Sequence, residues 1–186
     1  MYSTAHPLTD LRVLDLTDGL GDLCGRMLAN LGADVLRIEP PAGVASRRRA
    51  PFGPDGRSLH FAVRNADKRS AILDLHDSTG DADREHFLDL VAQADVLVES
   101  WAPGTLDDLG IGPDVLLAAN PSLVLASLTS FGQTGPDRNL AATDDVIFAL
   151  SGWQALSGVP HKPPLLLPGA IASDVVGILG AYAVLV

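Results

Sequence analysis

Asp174 is the residue in this sequence that is best placed for covalent chemistry. It follows a segment that begins at Pro168 and precedes an apolar run, 175–186, which only glycines and one tyrosine interrupt. A lone carboxylate at the start of an apolar helix is a candidate nucleophile, because burial in a dry pocket would make it reactive. The alternative is structural, since aspartate near a first helical turn caps free N–H groups, and the residues alone favour this cap.

A second candidate site is the glycine-rich stretch 19–25, which has the pattern Gly-x-Gly-x-x-x-Gly after a predicted strand. With Glu39 at the end of the next strand, it suggests a NAD(P) or flavin site of the Rossmann type. However, the spacing is one residue too long, and Asp18 and Asp22 would repel a pyrophosphate at the helix N-terminus. The other interpretation is that the glycines only allow a tight turn.

Short apolar strands alternate with helical patterns along the whole chain, which indicates repeated βαβ units. The predicted fold is α/β, with a Rossmann-like, mostly parallel sheet and helices on both faces. Residues 40–60 form an irregular excursion without periodicity. Ligands should bind at the carboxyl ends of the strands. The predicted strands are 11–16, 34–38, 70–75, 95–99 and 123–128, and the main predicted helices are 23–31, 82–92, 144–150 and 175–186.

Composition excludes several classes of function. The 186 residues carry a formal net charge of -10, so we expect no nucleic-acid or membrane partner. The single cysteine, Cys24, and five scattered histidines predict no metal site and fit a cytoplasmic location. No targeting segment or apolar run long enough to span a bilayer is evident.

Six collinear blocks of the sequence resemble the N-terminal half of the class III CoA-transferase family, of the CaiB/BaiF type. Each block alone is weak, but their shared order covers nearly the whole chain. The blocks are LRVLDLT (11–17), LANLGADVLRIEPP (28–41), NADKRS with LDL (65–70 and 73–75), ADVLVES with PG and LG (94–100, 103–104 and 109–110), SFGQTGP (130–136) and LSG (150–152).

The resemblance implies an acyl-CoA:carboxylate CoA-transferase that moves CoA from a thioester to a free acid. Asp174 would be the nucleophile and would form covalent aspartyl intermediates. CoA and acyl-CoA would be substrates, with no tightly bound cofactor. A catalytically weakened homologue, or a split or tandem subunit with an interface role, is the alternative. Racemases of the family carry a histidine where this chain has Thr143, which disfavours an acyl-CoA racemase.

The resemblance also implies where CoA binds, although several basic positions of the family are altered, with Pro40 and Asp108 in their places. Arg47, one of three consecutive arginines, either restores attraction for the phosphates or belongs to a solvated loop. Trp101 either stacks on the adenine or anchors its loop in the core. The implied CoA contacts are Leu20, Gly21, Pro40, Asn65, Ala66, Asp67, Lys68, Ser100, Trp101 and Ala102.

Chains of the family are about twice as long as this one. We therefore expect residues 1–186 to form the N-terminal Rossmann-like domain, with the C-terminal half absent from this chain. A homodimer partner or a second subunit would then supply the missing half and cover the apolar run 175–186.

Overall fold

The sheet is entirely parallel and has five strands in the order β3-β2-β1-β4-β5. The structure is a computed structural model that describes residues 6–76 and 81–186. This strand order is that of Rossmann-like folds, in which ligands bind outside the carboxyl ends of the strands. The strands are β1 (Arg12–Leu16), β2 (Asp34–Glu39), β3 (Arg69–Ile72), β4 (Val96–Glu99) and β5 (Val124–Ser127).

Helices follow the strands and cover both faces of the sheet, which confirms the predicted fold class. Within the described residues, no helix is long and apolar enough to cross a membrane. The helices are α1 (Asp22–Asn30), α2 (Leu59–Arg64), α3 (Asp81–Val91), α4 (Thr105–Asp108), α5 (Pro113–Ala119), α6 (Asp144–Leu150) and α7 (Ile171–Val184), with short 3-10 helices at Ala45–Arg48 and Trp153–Leu156.

Alternating side chains of the central strands build one apolar core on each face. Leu14 and Leu97 pack with Phe87 of α3 and Leu116 of α5 on one side. On the other side, strand residues including Val13 and Val96 pack with α1 and α7 in a second cluster. Because every second residue of a strand points to the same face, a strand with apolar residues throughout must be covered twice.

Helix α7 packs closely on α1, and two of its glycines make this approach possible. A Cβ atom on Gly177 would lie 2.9 Å from Cβ of Leu23, and one on Gly180 would lie 2.9 Å from Cδ2 of Leu128. Larger residues at these positions would push α7 away from the sheet. The glycines therefore set how close α7 lies to α1 and to Leu128, the residue after β5.

The boundaries of two elements differ from the sequence prediction in ways that matter for the site. Helix α2, which was not predicted, begins at Leu59, at the end of the segment 40–60 that was predicted to be irregular, and Ser58 caps it by accepting the N–H of Phe61. Helix α7 begins at Ile171 and not after Asp174. The prediction that Asp174 precedes this helix is therefore wrong, because Asp174 is the fourth residue of its first turn.

A buried polar network joins the first two strands to the segment before β3. Arg37 of β2, 1% exposed, donates hydrogen bonds to the carbonyl of Thr17, to Asp22 and to Asn65. Lys68 donates from Nζ to Asp15 Oδ2 at 2.6 Å and to the carbonyl of Asp22. A buried cation must keep such partners, because an unpaired charge in the core is costly.

The network lowers the pKa of Asp15. Burial of the carboxyl would raise its pKa, but the charges of Lys68 and Arg37 and two hydrogen bonds outweigh burial and lower it below the ordinary value of 3.8. Asp15 is therefore ionised in the folded chain at neutral pH. The third glycine of the 19–25 pattern, Gly25, leaves room for this ion pair, since a Cβ atom there would meet Asp15 and Lys68.

Replacing Arg37 by methionine should destabilise the fold by about 3 kcal/mol or more, because Asp22 and the carbonyl of Thr17 would lose a buried donor. The matched control is Arg69→Met, which breaks an exposed Arg–Asp pair with Asp34 and should cost less than about 1 kcal/mol. Urea unfolding at neutral pH measures both. Equal losses of stability in the two variants would contradict the structural role assigned to Arg37.

Candidate active site

Three neighbouring cavities form a groove along the carboxyl edge of the sheet. The first, about 320 Å³, lies at the ends of β1 and β2 and is lined by residues including Pro40, Arg48 and Trp101. The second, about 400 Å³, shares Trp101 with the first. The third, about 130 Å³, shares Leu20 with the second and reaches the first turn of α7. The groove therefore runs from the end of β2 to the N-terminus of α7.

Several predicted CoA contacts lie in this groove. The second cavity is lined by Leu20, Ser100, Trp101 and Ala102, and the first by Pro40. Trp101 packs against the core beside the His76 ring, 5.5 Å away between centroids, as one of its two predicted roles requires. It also lines both cavities, and its stacking on adenine stays a prediction. Five of the predicted contacts therefore line the groove, and their role in binding CoA stays a prediction.

Other predicted contacts, in the segment 65–68, lie outside the three cavities. Lys68 and Asn65 are held in the buried network, and Lys68 is only 1% exposed through its side chain. Asp67 is exposed and adopts a left-handed backbone conformation with φ of 65°. Lys68 and Asn65 therefore line none of the three cavities and belong to the network around Asp15 and Asp22.

Arg47 is held by Glu39 in a bidentate ion pair. Its Nε and Nη2 atoms donate to the two carboxylate oxygens, each at 2.6 Å, and its guanidinium lies 4.0 Å from the centre of the Phe61 ring. Burial would raise the pKa of Glu39, but hydrogen bonds from Arg47 and Ser70 and nearby cations lower it. Of the three consecutive arginines, Arg48 is the one that lines the first cavity.

The two aspartates beside the glycine-rich turn have structural partners. Asp18 accepts the backbone N–H groups of Ala45 and Ser46, which fixes the 3-10 helix at one end of the groove. Asp22 is fully buried and accepts from Thr17 and Arg37. A dinucleotide pyrophosphate at the N-terminus of α1 would meet this carboxylate, so the geometry does not favour the NAD(P) or flavin alternative.

The N-terminus of α7 is capped by a carboxylate from α6. Asp144 accepts the backbone N–H of Ala172 at 2.9 Å, that of Ser173 at 3.3 Å, and the hydroxyl of Ser173 at 2.6 Å. These contacts satisfy N–H groups that a first helical turn leaves free. The interpretation of Asp174 as the helix cap is therefore wrong, because Asp144 has that role and Ala170 is at the cap position.

Asp174 is instead paired with Arg64 of α2, a residue that the sequence analysis did not identify. Arg64 Nε and Nη2 donate to the two oxygens of Asp174 at 2.8 and 2.7 Å. The Asp174 side chain is 32% exposed and that of Arg64 is 15% exposed. The signal that could have revealed α2 is the capping residue Ser58, but no spacing links Arg64 to a residue 110 positions away.

Another buried carboxylate, Glu99, connects the loops after β4 and β5. It is 1% exposed, accepts the N–H of Trp101 at 2.6 Å and receives a long contact from Gln133 at 3.4 Å. Burial raises the pKa of Glu99, against the effect of hydrogen bonds from Ser127 and Trp101. Glu99 thus holds the loop that carries Trp101, at a cost in charge burial.

Comparison with known proteins matches the chain to one family. The sequence profile described as CoA-transferase family III matches residues 8–186. The chain is 42% identical over 178 residues to the probable CoA-transferase Rv1866 of Mycobacterium tuberculosis, covering 94% of this chain and 22% of that protein. It is 40% identical to the acetyl-CoA:oxalate CoA-transferase of Acetobacter aceti, covering 92% of this chain and 43% of that protein.

Further comparisons agree in sequence and in structure. The chain is 35% identical to the beta subunit of succinyl-CoA--L-malate CoA-transferase from Chloroflexus aurantiacus, covering 98% of this chain and 45% of that protein. A crystal structure of a CaiB/BaiF family protein from Brucella suis superposes with a TM-score of 0.88 at 34% identity, over 96% of this chain and 48% of that one. The chain spans less than half the length of each of these proteins.

Replacing Glu99 by glutamine should remove the cost of burying a charge. Because folding raises the pKa of this carboxyl above its ordinary value of 4.5, the stability of the native chain should fall as pH rises through the raised value. The stability of Glu99→Gln should not fall in this way. Relative to the native chain, its free energy of unfolding should be higher at pH 8 than at pH 4 by roughly 1–2 kcal/mol. Urea unfolding across this pH range measures the difference.

The control for this prediction is Glu85→Gln, which changes an exposed carboxylate on α3. It should track the native chain at every pH. If Glu99→Gln also tracks the native chain between pH 4 and pH 8, the carboxyl of Glu99 is not penalised by burial.

Proposed function

The chain belongs to CoA-transferase family III, and from this membership we propose that it transfers CoA from a CoA thioester to a free carboxylic acid. The observation that carries the proposal is the groove that ends at the first turn of α7, where Ser173, the residue before Asp174 in the chain, lines the third cavity. A thioester bound along the groove would bring its carbonyl towards this turn. Asp174 would then be the nucleophile.

The proposed reaction proceeds through the Asp174 carboxylate. It attacks the thioester carbonyl, the C–S bond breaks, and its electron pair leaves with the CoA thiolate, so a mixed anhydride remains. The thiolate attacks the aspartyl carbonyl of this anhydride, which releases the donor acid as a carboxylate and leaves an aspartyl thioester. One negative charge is conserved in each step, and the reaction needs no oxidant, reductant or proton donor.

The acceptor acid then reverses these two steps. Its carboxylate attacks the aspartyl thioester to form a new mixed anhydride and release the thiolate. The thiolate takes the acyl group of the acceptor, and the electron pair of the broken C–O bond returns to Asp174. The energy of the thioester is thereby kept, because no intermediate is hydrolysed.

We place CoA along the first two cavities. Pro40, Arg48 and Trp101 line the end at which its adenine and phosphates would lie. Leu20, Ser100 and Ala102 line the second cavity and are the proposed contacts of the pantetheine arm, while Gly21, which is buried, would act through the wall. Arg48 is the cation that faces the first cavity, while Arg47, Asn65, Ala66, Asp67 and Lys68 would act through the walls. An arginine at this position suits phosphates, since it can donate two parallel hydrogen bonds.

The substrates are proposed by class. Relatives named for acetyl-CoA with oxalate and for succinyl-CoA with L-malate suggest a small carboxylic acid as the acceptor. We also propose a second copy or a second subunit as a partner. Relatives named as alpha and beta subunits support a second subunit, and α7 presents exposed apolar side chains, including Ile178 at 46% and Leu179 at 60% exposure, on which a partner can pack.

A catalytically weakened subunit is the second candidate function. Pro40 and Asp108 stand where the resemblance implies basic residues, so the groove has less positive charge for the phosphates of CoA than such a site would have. Such a subunit would contribute an interface and not turnover. The two candidates differ in whether Asp174 forms a covalent intermediate.

The full-length protein incubated with succinyl-CoA should gain a covalent adduct at Asp174, which intact mass spectrometry can detect. Asp174→Asn should bind CoA normally by calorimetry but form no adduct, because the amide is not a nucleophile here. The control Asp145→Asn, an exposed neighbour on α6, should keep the adduct. CoA binding without an adduct, for succinyl-CoA and acetyl-CoA alike, would favour the weakened subunit.

Replacing Arg48 by alanine should weaken CoA binding by about tenfold, because the cation that lines the first cavity would be lost. The control Arg57→Ala removes an arginine from the same excursion that is 86% exposed and pairs with Asp55. Calorimetry at low and high salt measures both, and only Arg48→Ala should reduce the salt dependence. Unchanged CoA affinity in Arg48→Ala would place the phosphates elsewhere.

A further inference from the structure

Arg64 forms a bidentate ion pair with Asp174, the residue whose charge the proposed reaction removes. Both N–H donors on one edge of the guanidinium are used by the two oxygens of Asp174, at 2.8 and 2.7 Å. This bidentate geometry is the strong form of a charge-assisted hydrogen bond. The geometry of Arg64 therefore suits any carboxylate, and in the chain without substrate the carboxylate that it binds is that of Asp174.

The surroundings of Arg64 supply no second carboxylate among the described residues. Its remaining nitrogen, Nη1, lies 3.1 Å from Nδ1 of His60, and Nε2 of that ring lies 3.5 Å from Arg49. Burial and the charges of Arg64 and Arg49 lower the pKa of His60, so the ring is neutral at pH 7. The ring can accept a hydrogen bond from Arg64 but cannot neutralise its charge.

The proposed reaction removes the partner of Arg64. When Asp174 is converted into a thioester, it loses its negative charge and one of its two acceptor oxygens. At least one donor of a guanidinium that is 15% exposed is then left without a partner. A cation in this position is stabilised by any carboxylate that can reach it.

The free acid is the species that carries the missing charge. In the step that forms the aspartyl thioester, the negative charge leaves with the donor acid, and in the next step the acceptor acid brings it back. A carboxylate held by Arg64 would lie next to the aspartyl carbonyl that it must attack. Such positioning of two reactants is a large part of what an enzyme supplies.

We propose that Arg64 is the binding residue for the carboxylate of the free acid, and that it alternates between Asp174 in the resting chain and the substrate acid after Asp174 has been acylated. This inference rests on the proposed function. The bound acid attacks the aspartyl thioester with one oxygen, the C–S bond breaks, and the electron pair leaves with the CoA thiolate. The class of ligand is a carboxylic acid, and the recognised group is the carboxylate itself.

The experiment separates the loading of Asp174 from its discharge. The full-length protein and its variants Arg64→Leu and Arg64→Lys are loaded with succinyl-CoA and freed of excess ligand. The adduct is then discharged with increasing acetate or succinate, and in parallel with hydroxylamine, an uncharged nucleophile that needs no carboxylate site. Intact mass against time gives each rate.

Arg64→Leu should still load, within about threefold of the native rate, but should need about tenfold or more of the acid for half-maximal discharge. Its discharge by hydroxylamine should be unchanged. Arg64→Lys should lie between the two, because lysine keeps the charge without the bidentate geometry. The matched control Arg69→Leu, which breaks the exposed pair with Asp34, should behave as the native chain does.

The outcomes distinguish this inference from the proposed function. If Arg64→Leu fails to load, or is discharged equally slowly by acid and by hydroxylamine, Arg64 only positions Asp174 and the inference is overturned. An unchanged requirement for acid in Arg64→Leu also overturns it, while covalent catalysis stands. If the native protein forms no adduct at all, the proposed function fails, and the inference fails with it.

Discussion

The buried guanidinium of Arg37 is the constraint on which the carboxyl edge of the sheet depends. A cation inside the sheet is tolerated only if fixed acceptors surround it, and here they come from the end of β1, the start of α1 and the segment before β3. Asp22 must therefore stand at the first turn of α1. This requirement explains why a glycine-rich turn in Rossmann-like surroundings carries an acid where a dinucleotide site would place its phosphates.

The same network neutralises acidic residues that would otherwise repel an anionic ligand. Within the network, Asp15, Asp22 and Glu39 are matched by Arg37, Arg47 and Lys68, so these buried carboxylates present little net charge to the groove. The formal net charge of -10 arises from the sequence as a whole and not from this wall. Glu39 lines the first cavity together with Arg48, but the guanidinium of Arg47 offsets its charge.

The sequence predicts what depends on local pattern and misses what depends on long-range contacts. Apolar periodicity located all five strands, and the helix 144–150 coincides with α6. Helix α2 was not predicted because its apolar residues Leu59 and Val63 are 46% and 55% exposed, so burial imposes no helical repeat on them. The pairing of Arg64 with Asp174 spans 110 positions and needs the packing of α7 on α1, which no local signal encodes.

Two carboxylates lie near the first turn of α7 and have different roles, which affects the reactivity of Asp174. They are Asp144 of α6 and Asp174 itself. Because Asp144 caps the helix, Asp174 is released from the backbone and can turn towards α2. It remains 32% exposed, and water would compete with an acid for an aspartyl thioester at such a position. The apolar side chains of Val175 and Ile178, 47% and 46% exposed, lie on the same helix close to Asp174. A surface packed on them would bury apolar area and exclude water from Asp174 in one step, which links the proposed partner directly to the chemistry.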